Sequence, residues 1–207
     1  MKLYYAPGAC SLSPHIVATE AGIPLDLVKV DVKTKTIHQE GDFWVINPKG
    51  YVPALELDNG EVLTEGPAIV QFLADQKPAL RLAPENGSFE RTRVQEMLNY
   101  ITSEIHKTYS PLFKPDVLPA VRDERLDYLR KRYGLLEKRL EGRKYLFGEQ
   151  FTIADAYFFV VTNWARGVKF DLSEFPNIQA FQERVGSRKS VLQAMRAEGL
   201  IPEDKAA

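Results

Sequence analysis

A chain of 207 residues is long enough for one large domain or two small ones, and 44% hydrophobic with 27% charged residues is an ordinary folded composition. A net charge of -1 leaves no surplus of basic charge to meet phosphates, which argues against nucleic acid as the main partner. The one cysteine cannot close an internal disulfide, and no run approaches the roughly 18 apolar residues of a membrane span.

Lys2-Leu3-Tyr4-Tyr5 is a short β-prone run, broken by Pro7 and Gly8. Pro7, Gly8, Pro14 and His15 also interrupt any apolar leader, so a cytoplasmic location is expected. Ser11 and Ser13 are N-cap types, Pro14 suits a first helical turn, and Gly22 closes the segment as a C-cap. Cys10 therefore sits at a strand-to-helix turn. A helix N-terminus carries about half a positive charge, which favours thiolate over thiol. A buried, inert cysteine is the competing reading.

Alternation over Leu25, Leu27, Val28, Val30 and Val32 predicts a second strand. Residues 33–41 are polar and read as a loop or irregular helix. Phe43 to Ile46 is a short segment ended by Asn47-Pro48. Residues 52–57 read as a strand, Asn59-Gly60 as a hairpin turn, and Val62-Leu63 as the return strand. Glu65-Gly66 then opens a helix through Ile69, Val70, Phe72 and Leu73. The order predicts a mixed, four-stranded sheet.

Residues 78–87, with Pro78, Pro84 and Gly87, make the linker between residues 1–77 and an all-helical region at 88–201. Residues 89–113 form one long helical pattern, with Val94, Met97, Leu98, Ile101 and Ile105 on one face. Residues 119–141 form another, striped by Leu129, Tyr133, Leu136 and Leu140. Thr152 and Asp155 make a capping-box variant before a very apolar helix through Trp164. A further helix follows Pro176, a short one covers about 189–198, and 202–207 is a tail.

Three positions stand as company for Cys10. Val52-Pro53 begins a strand whose free backbone groups suit a peptide-like ligand. Glu65-Gly66 lies at a helix start, where backbone N–H groups receive anions, or where Glu65 merely complements the helix dipole. At about 100° per residue, Asn99, Ser103, His106 and Lys107 share an arc opposite the apolar face of the long helix. His106 has the range of a proton donor or acceptor near a thiol. His15 and His38 have no comparable company, and no Cys/His spacing suggests a metal.

This order, a turn cysteine, then Val-Pro, then an acid at a helix start, then an all-helical region, resembles the cytosolic glutathione S-transferases over essentially the whole chain. Ala9-Cys10-Ser11-Leu12-Ser13-Pro14-His15 and His106-Lys107 are most similar to the bacterial beta class. Asn47-Pro48-Lys49-Gly50-Tyr51-Val52-Pro53-Ala54-Leu55 and Leu63-Thr64-Glu65 are similar to the superfamily more broadly.

The resemblance implies a thioredoxin-like α/β N-terminal domain with a cis Val52-Pro53 bond, an all-α C-terminal domain for a hydrophobic second substrate, and a homodimer. It implies glutathione as co-substrate and no metal, membrane or nucleic-acid partner. Cys10 is implied to contact the glutathione sulfur and to form a mixed disulfide with it, with Ser11 beside it. His106 and Lys107, which follow Ile105, reach the same region. Tyr51, Val52 and Pro53 line the cysteinyl part, Val52 pairing with its backbone. Glu65 and the amide of Gly66 hold the γ-glutamyl end, and Lys35 the glycyl carboxylate. Asn99, Ser103 and Glu104 lie near the γ-glutamyl end, from this subunit or from its partner. The family usually carries Ser or Thr where this chain has Gly66, so one hydroxyl is missing. Ser13 stands where a CxxC motif needs its second cysteine, which removes a dithiol cycle. Three readings remain: a glutathione transferase acting on hydrophobic electrophiles in detoxification, a thiol–disulfide exchange enzyme, and a non-catalytic binding or regulatory protein.

Overall fold

The computed structural model describes residues 1–37 and 41–203. It divides into two compact units: residues 1–83 with 187–207, and residues 84–186. The first cut falls within residues 78–87, the stretch that the sequence reading makes a linker. The last helix belongs to the first unit, whereas the sequence reading placed it in the helical region. His38 and residues 204–207 lie outside the described residues.

In the first unit β1 (Lys2–Tyr5), β2 (Asp26–Asp31), β5 (Ala54–Glu56) and β6 (Val62–Thr64) are the four expected strands. β1 runs parallel to β2 and antiparallel to β5, and β5 runs antiparallel to β6, so the sheet is mixed. Two further strands, β3 (Thr36–Ile37) and β4 (Gly41–Asp42), extend the edge to the order β4-β3-β2-β1-β5-β6. The loop expected at 33–41 is thereby corrected. Two-residue strands are too short to show alternation. The turn that leads from β2 into β3 is set by Asp31, whose carboxylate accepts from the N–H of Lys33 and of Thr34, and by Lys35 at φ 61°.

α1 (Leu12–Glu20) ends as expected on Gly22, at φ 64°, with the N–H of Ile23 reaching back to the Ala18 carbonyl. The turn α2 (Phe43–Ile46) is capped by Asp42, whose carboxylate accepts from the N–H of Trp44. α3 is Gly66–Asp75. Tyr4, Val30, Phe43 and Ala54 form a buried cluster under the sheet. Burying a side chain of this size contributes roughly 1.5–3 kcal/mol.

The second unit is helical. α4 (Phe89–Tyr100) is capped by Ser88. It continues into a π-helical segment (Ile101–His106), then α5 (Lys107–Tyr109) and a 3-10 turn (Ser110–Phe113). The expected single helix is therefore continuous in path but not in hydrogen bonding. Its predicted inner face, Val94, Met97, Leu98, Ile101 and Ile105, is buried throughout. The hydroxyls of Thr102, Ser103 and Thr108 donate to the carbonyls of Leu98, Asn99 and Glu104. Such back-bonding serves carbonyls that a widened turn leaves less well met.

α6 (Pro119–Leu140) buries the predicted stripe Leu129, Tyr133, Leu136 and Leu140. α7 (Ile153–Val168) is the core, buried without break from Ile153 to Thr162. Asp155, fully buried, accepts from the N–H and hydroxyl of Thr152 and from the N–H of Leu146. That satisfies the helix start the sequence predicted. α8 (Pro176–Gly186) packs on α6 and α7, while α9 (Lys189–Ala197) packs on α1 in the first unit.

Candidate active site

In the first unit, the turn after β1 is closed by N–H to carbonyl bonds from Ala9 to Ala6 (3.0 Å) and from Leu12 to Ala9 (3.0 Å). Cys10 is partly exposed on this turn. Ser11 occupies the N-cap position, yet its hydroxyl caps nothing. It accepts from the Ala6 N–H at 3.1 Å and donates to the Ala6 carbonyl at 3.2 Å, and the residue is fully buried. Its hydroxyl therefore shapes the turn. Ser13 donates to the Cys10 carbonyl at 2.8 Å. The Gly8 N–H donates to Glu198, 3.0 Å away, so the segment after α9 also fixes the turn. Burial and the Glu198 charge together raise the nearby Tyr5 phenol.

The Cys10 thiol donates to the Val52 carbonyl at 3.2 Å. The Val52-Pro53 bond is cis, as the resemblance implied. Asn47, 2% exposed, holds this loop: its amide donates to the Tyr51 carbonyl at 2.7 Å and its side-chain oxygen accepts from the Lys49 N–H. Lys35 stands over the Tyr51 ring with its Nζ 5.5 Å from the centroid. The structure thus brings Cys10, Val52 and Pro53 together, with Tyr51 on the same loop and Lys35, from the turn after β2, over its ring.

Glu65 precedes α3 at φ 70° and ψ 111°. A non-glycine residue held there costs of order 1–3 kcal/mol, and such outliers gather at ligand clamps. Its carboxylate receives Lys49 Nζ at 2.8 Å, and the same ammonium donates to Thr64. Gly66 is buried beside Pro53: a Cβ built on it meets Pro53 Cγ at 3.8 Å. Among the described residues, the N–H groups of Val52 and Gly66 have no hydrogen-bond partner. Pro67 brings no N–H, so the donor at this helix start is Gly66.

In the second unit, the predicted polar arc is split by the π segment. Asn99, Ser103 and Lys107 are exposed. His106 turns inward instead: its Nδ1 lies 2.6 Å from the Tyr157 hydroxyl, and its ring packs edge-on to Trp164 at 4.8 Å. Trp164 also meets Tyr109 at 5.8 Å and Phe113 at 5.6 Å, with Phe113 53% exposed. Glu104 binds Arg132 Nε at 2.8 Å and accepts from the Tyr128 hydroxyl. Arg132 stacks over Tyr128 at 4.4 Å. Burial pushes the neighbouring Tyr100 phenol up to about 12, against the Arg132 charge. Ile105 is fully buried and presents no surface to a ligand.

Sequence reasoning missed Asn47, Lys49, Tyr157, Trp164 and Glu198. Lys49 and Asn47 lay within the quoted Asn-Pro-Lys-Gly-Tyr-Val-Pro string but read as turn residues. Trp164 closed an apolar helix and read as core. His15, thought to have no company, pairs with Glu198, 183 positions away in the chain. A pair so distant in sequence leaves no periodic signal.

Residues 8–76 match the family described as "Glutathione S-transferase, N-terminal domain", and residues 100–189 match "Glutathione S-transferase, C-terminal domain". A glutathione S-transferase of Escherichia coli O157:H7, GstA, is 44% identical over 97% of this chain and 100% of its own. The solved ternary complex of BphK, a bacterial glutathione S-transferase, is 52% identical with a TM-score of 0.95, covering 97% of this chain and 100% of that one. The beta-class enzyme of Sphingomonas chungbukensis is 43% identical with a TM-score of 0.93, over 97% and 100%. With both domains matched and these identities sustained along their full lengths, the chain belongs to the glutathione S-transferase family, among its bacterial beta-class members.

Proposed function

We propose that the chain conjugates glutathione to hydrophobic electrophiles and that Cys10 also forms a mixed disulfide with glutathione. The observation that carries this is the pair of unpartnered N–H groups, Val52 and Gly66, beside a sulfur that touches the same loop. A γ-glutamyl-cysteinyl-glycine chain has what these groups lack: a backbone carbonyl for the Val52 N–H and a carboxylate for the Gly66 N–H. Glu65 takes the ammonium of the same end, exchanging Lys49 for it. Lys35 takes the glycyl carboxylate. Because the Cys10–Val52 bond uses the thiol proton, ionisation of Cys10 has to break it. A peptide N–H arriving at the Val52 carbonyl replaces that donor.

In the transfer step the glutathione thiolate attacks an electrophilic carbon. The S–C bond forms, a halide or equivalent leaves, and the thiol proton goes to solvent or to His106. His106, positioned by Tyr157, is the proposed proton carrier. Phe113 and Trp164 offer the apolar surface that a flat electrophile needs. In the disulfide step the Cys10 thiolate attacks glutathione disulfide: one S–S bond forms on Cys10 and one glutathione thiolate leaves. No electrons are gained or lost overall. A homodimer and a reducing, cytoplasmic setting belong to the same reading. The exposed Trp44, Val45, Tyr51 and Phe89 supply apolar surface for a second copy.

Retention on immobilised glutathione, followed by an aryl-halide assay and a glutathione-capped disulfide assay, tests the three readings together. Binding with both activities is expected. Binding with neither activity would establish a non-catalytic protein, and no binding would overturn the reading. Alkylation rate against pH then separates a thiolate from an ordinary thiol. A midpoint at or above about 8.5 would show Cys10 to be ordinary.

A further inference from the structure

On the side of α1 facing α9, the first unit holds a cavity of about 420 Å³. That is within the roughly 300–1,000 Å³ of small-molecule sites. His15 lies in its wall, with Ala18, Ile23, Leu25, Leu27 and Ala197 supplying apolar surface. No residue in the lining is a lysine or arginine, so nothing there matches an anionic ligand.

The His15 side chain is only 8% exposed, and Nδ1 lies 2.9 Å from Oε1 of the fully buried Glu198 side chain. Oε2 of the same carboxylate accepts from the Gly8 N–H at 3.0 Å. Both oxygens act as acceptors, which assigns the ring proton to Nδ1. Among the described residues Nε2 has no hydrogen-bond partner. In the neutral ring it is a bare acceptor, in need of one donor, in a cavity wall that it shares with those apolar residues and with Thr19 and Gln193.

We propose that this cavity binds a small neutral phenol, its hydroxyl donating to His15 Nε2 and its ring lying against Ile23, Leu25 and Leu27. The ligand class follows from this part of the wall: a bare acceptor on His15, no cation in the lining, and apolar surface of ring size from Ile23, Leu25 and Leu27. Glu198 joins His15 to Gly8, so occupancy is felt at the turn that carries Cys10. The proposal does not depend on the transferase reading.

The test uses the full chain, labelled with 15N at its three histidines and at glycine. It is titrated at neutral pH with para-cresol and, separately, with its methyl ether. Cresol should shift the His15 Nε2 resonance saturably and move the Gly8 amide. The ether, which has no donor, should bind about three- to tenfold more weakly. Ala197→Trp, at an exposed rim position, should remove the His15 shift and leave aryl-halide turnover unchanged. A silent His15 up to the solubility limit of cresol would overturn the proposal, even if His106 responded. Equal binding of the ether, or a His15 shift that survives in Ala197→Trp, would also overturn it.

Discussion

The candidate residues of the first unit present mostly main chain: the Val52 N–H and carbonyl, the Gly66 N–H, and a sulfur one bond beyond Cβ. Those of the second unit present side chains: His106 against Tyr157 and Trp164, with Phe113 alongside. Main-chain donors are placed by the fold and survive substitution of the residues that carry them. Side-chain surfaces change with one codon. The first unit is therefore suited to an invariant partner and the second to a variable one, which matches one constant co-substrate and a range of electrophiles.

The largest expected effect is at the exception to that contrast, Cys10, the side chain in the first unit proposed to do covalent chemistry. Cys10→Ala should abolish both the glutathione adduct seen by intact mass and disulfide exchange, since no other cysteine exists to replace it. Surviving exchange would mean that the sulfur is not the nucleophile. Glu65→Gln comes next. It removes the charge proposed to receive the glutathione ammonium, and calorimetry should record a loss of about 2–5 kcal/mol in glutathione binding. An unchanged affinity would reduce Glu65 to a partner of Lys49.

Phe113→Ala sharpens the comparison from the other side. It should raise the KM for an aryl halide by roughly tenfold, corresponding to about 1.4 kcal/mol, while glutathione affinity stays constant. A matched loss for both substrates would dissolve the division of labour. Gly66→Ser should tighten glutathione binding by about two- to tenfold, because it adds one hydrogen bond worth about 0.5–1.5 kcal/mol. The space exists: the new Cβ meets Pro53 at an ordinary 3.8 Å, and Gly66 has no positive φ to lose.

The smallest effect concerns pH. The Tyr4 hydroxyl, then Lys2, holds the Glu56 carboxyl below its usual range. A folded pKa below the unfolded one gives stability above the unfolded value of about 4.3 that is lost as pH falls through the folded value. Glu56→Gln should therefore lower the urea midpoint near neutrality, by an amount that shrinks as pH falls below about 4.3 and through the folded value, narrowing the acid dependence.

Much of this was legible in the sequence. Leu129, Tyr133, Leu136 and Leu140 announced one face of α6 by spacing alone, and Thr152 with Asp155 announced the start of α7. Cys10, Val52, Glu65 and Gly66 stood out because turn chemistry and family strings coincide there. Other features were not legible, each for a physical reason. β3 and β4 are shorter than the period that would reveal them. The inward turn of His106 depends on helix register, which a fixed 100° step could not supply across a π segment. The Glu198 link to Gly8 and His15 is a meeting of distant positions, set by α9 packing on α1.

The π segment Ile101–His106 has a genetic consequence as well. A wide turn is what a helix forms when it holds one residue more than its α-helical path can use. Removing a single residue between 101 and 106 would let the turn relax to α-helical bonding without breaking the helix. Everything from Lys107 to Phe113 would then keep its facing relative to α4, because the wide turn had absorbed the extra residue, and Phe113 would stay against Trp164. The Phe113–Trp164 contact is thus expected to withstand a one-codon deletion there, a kind of variation that substitution scans never sample.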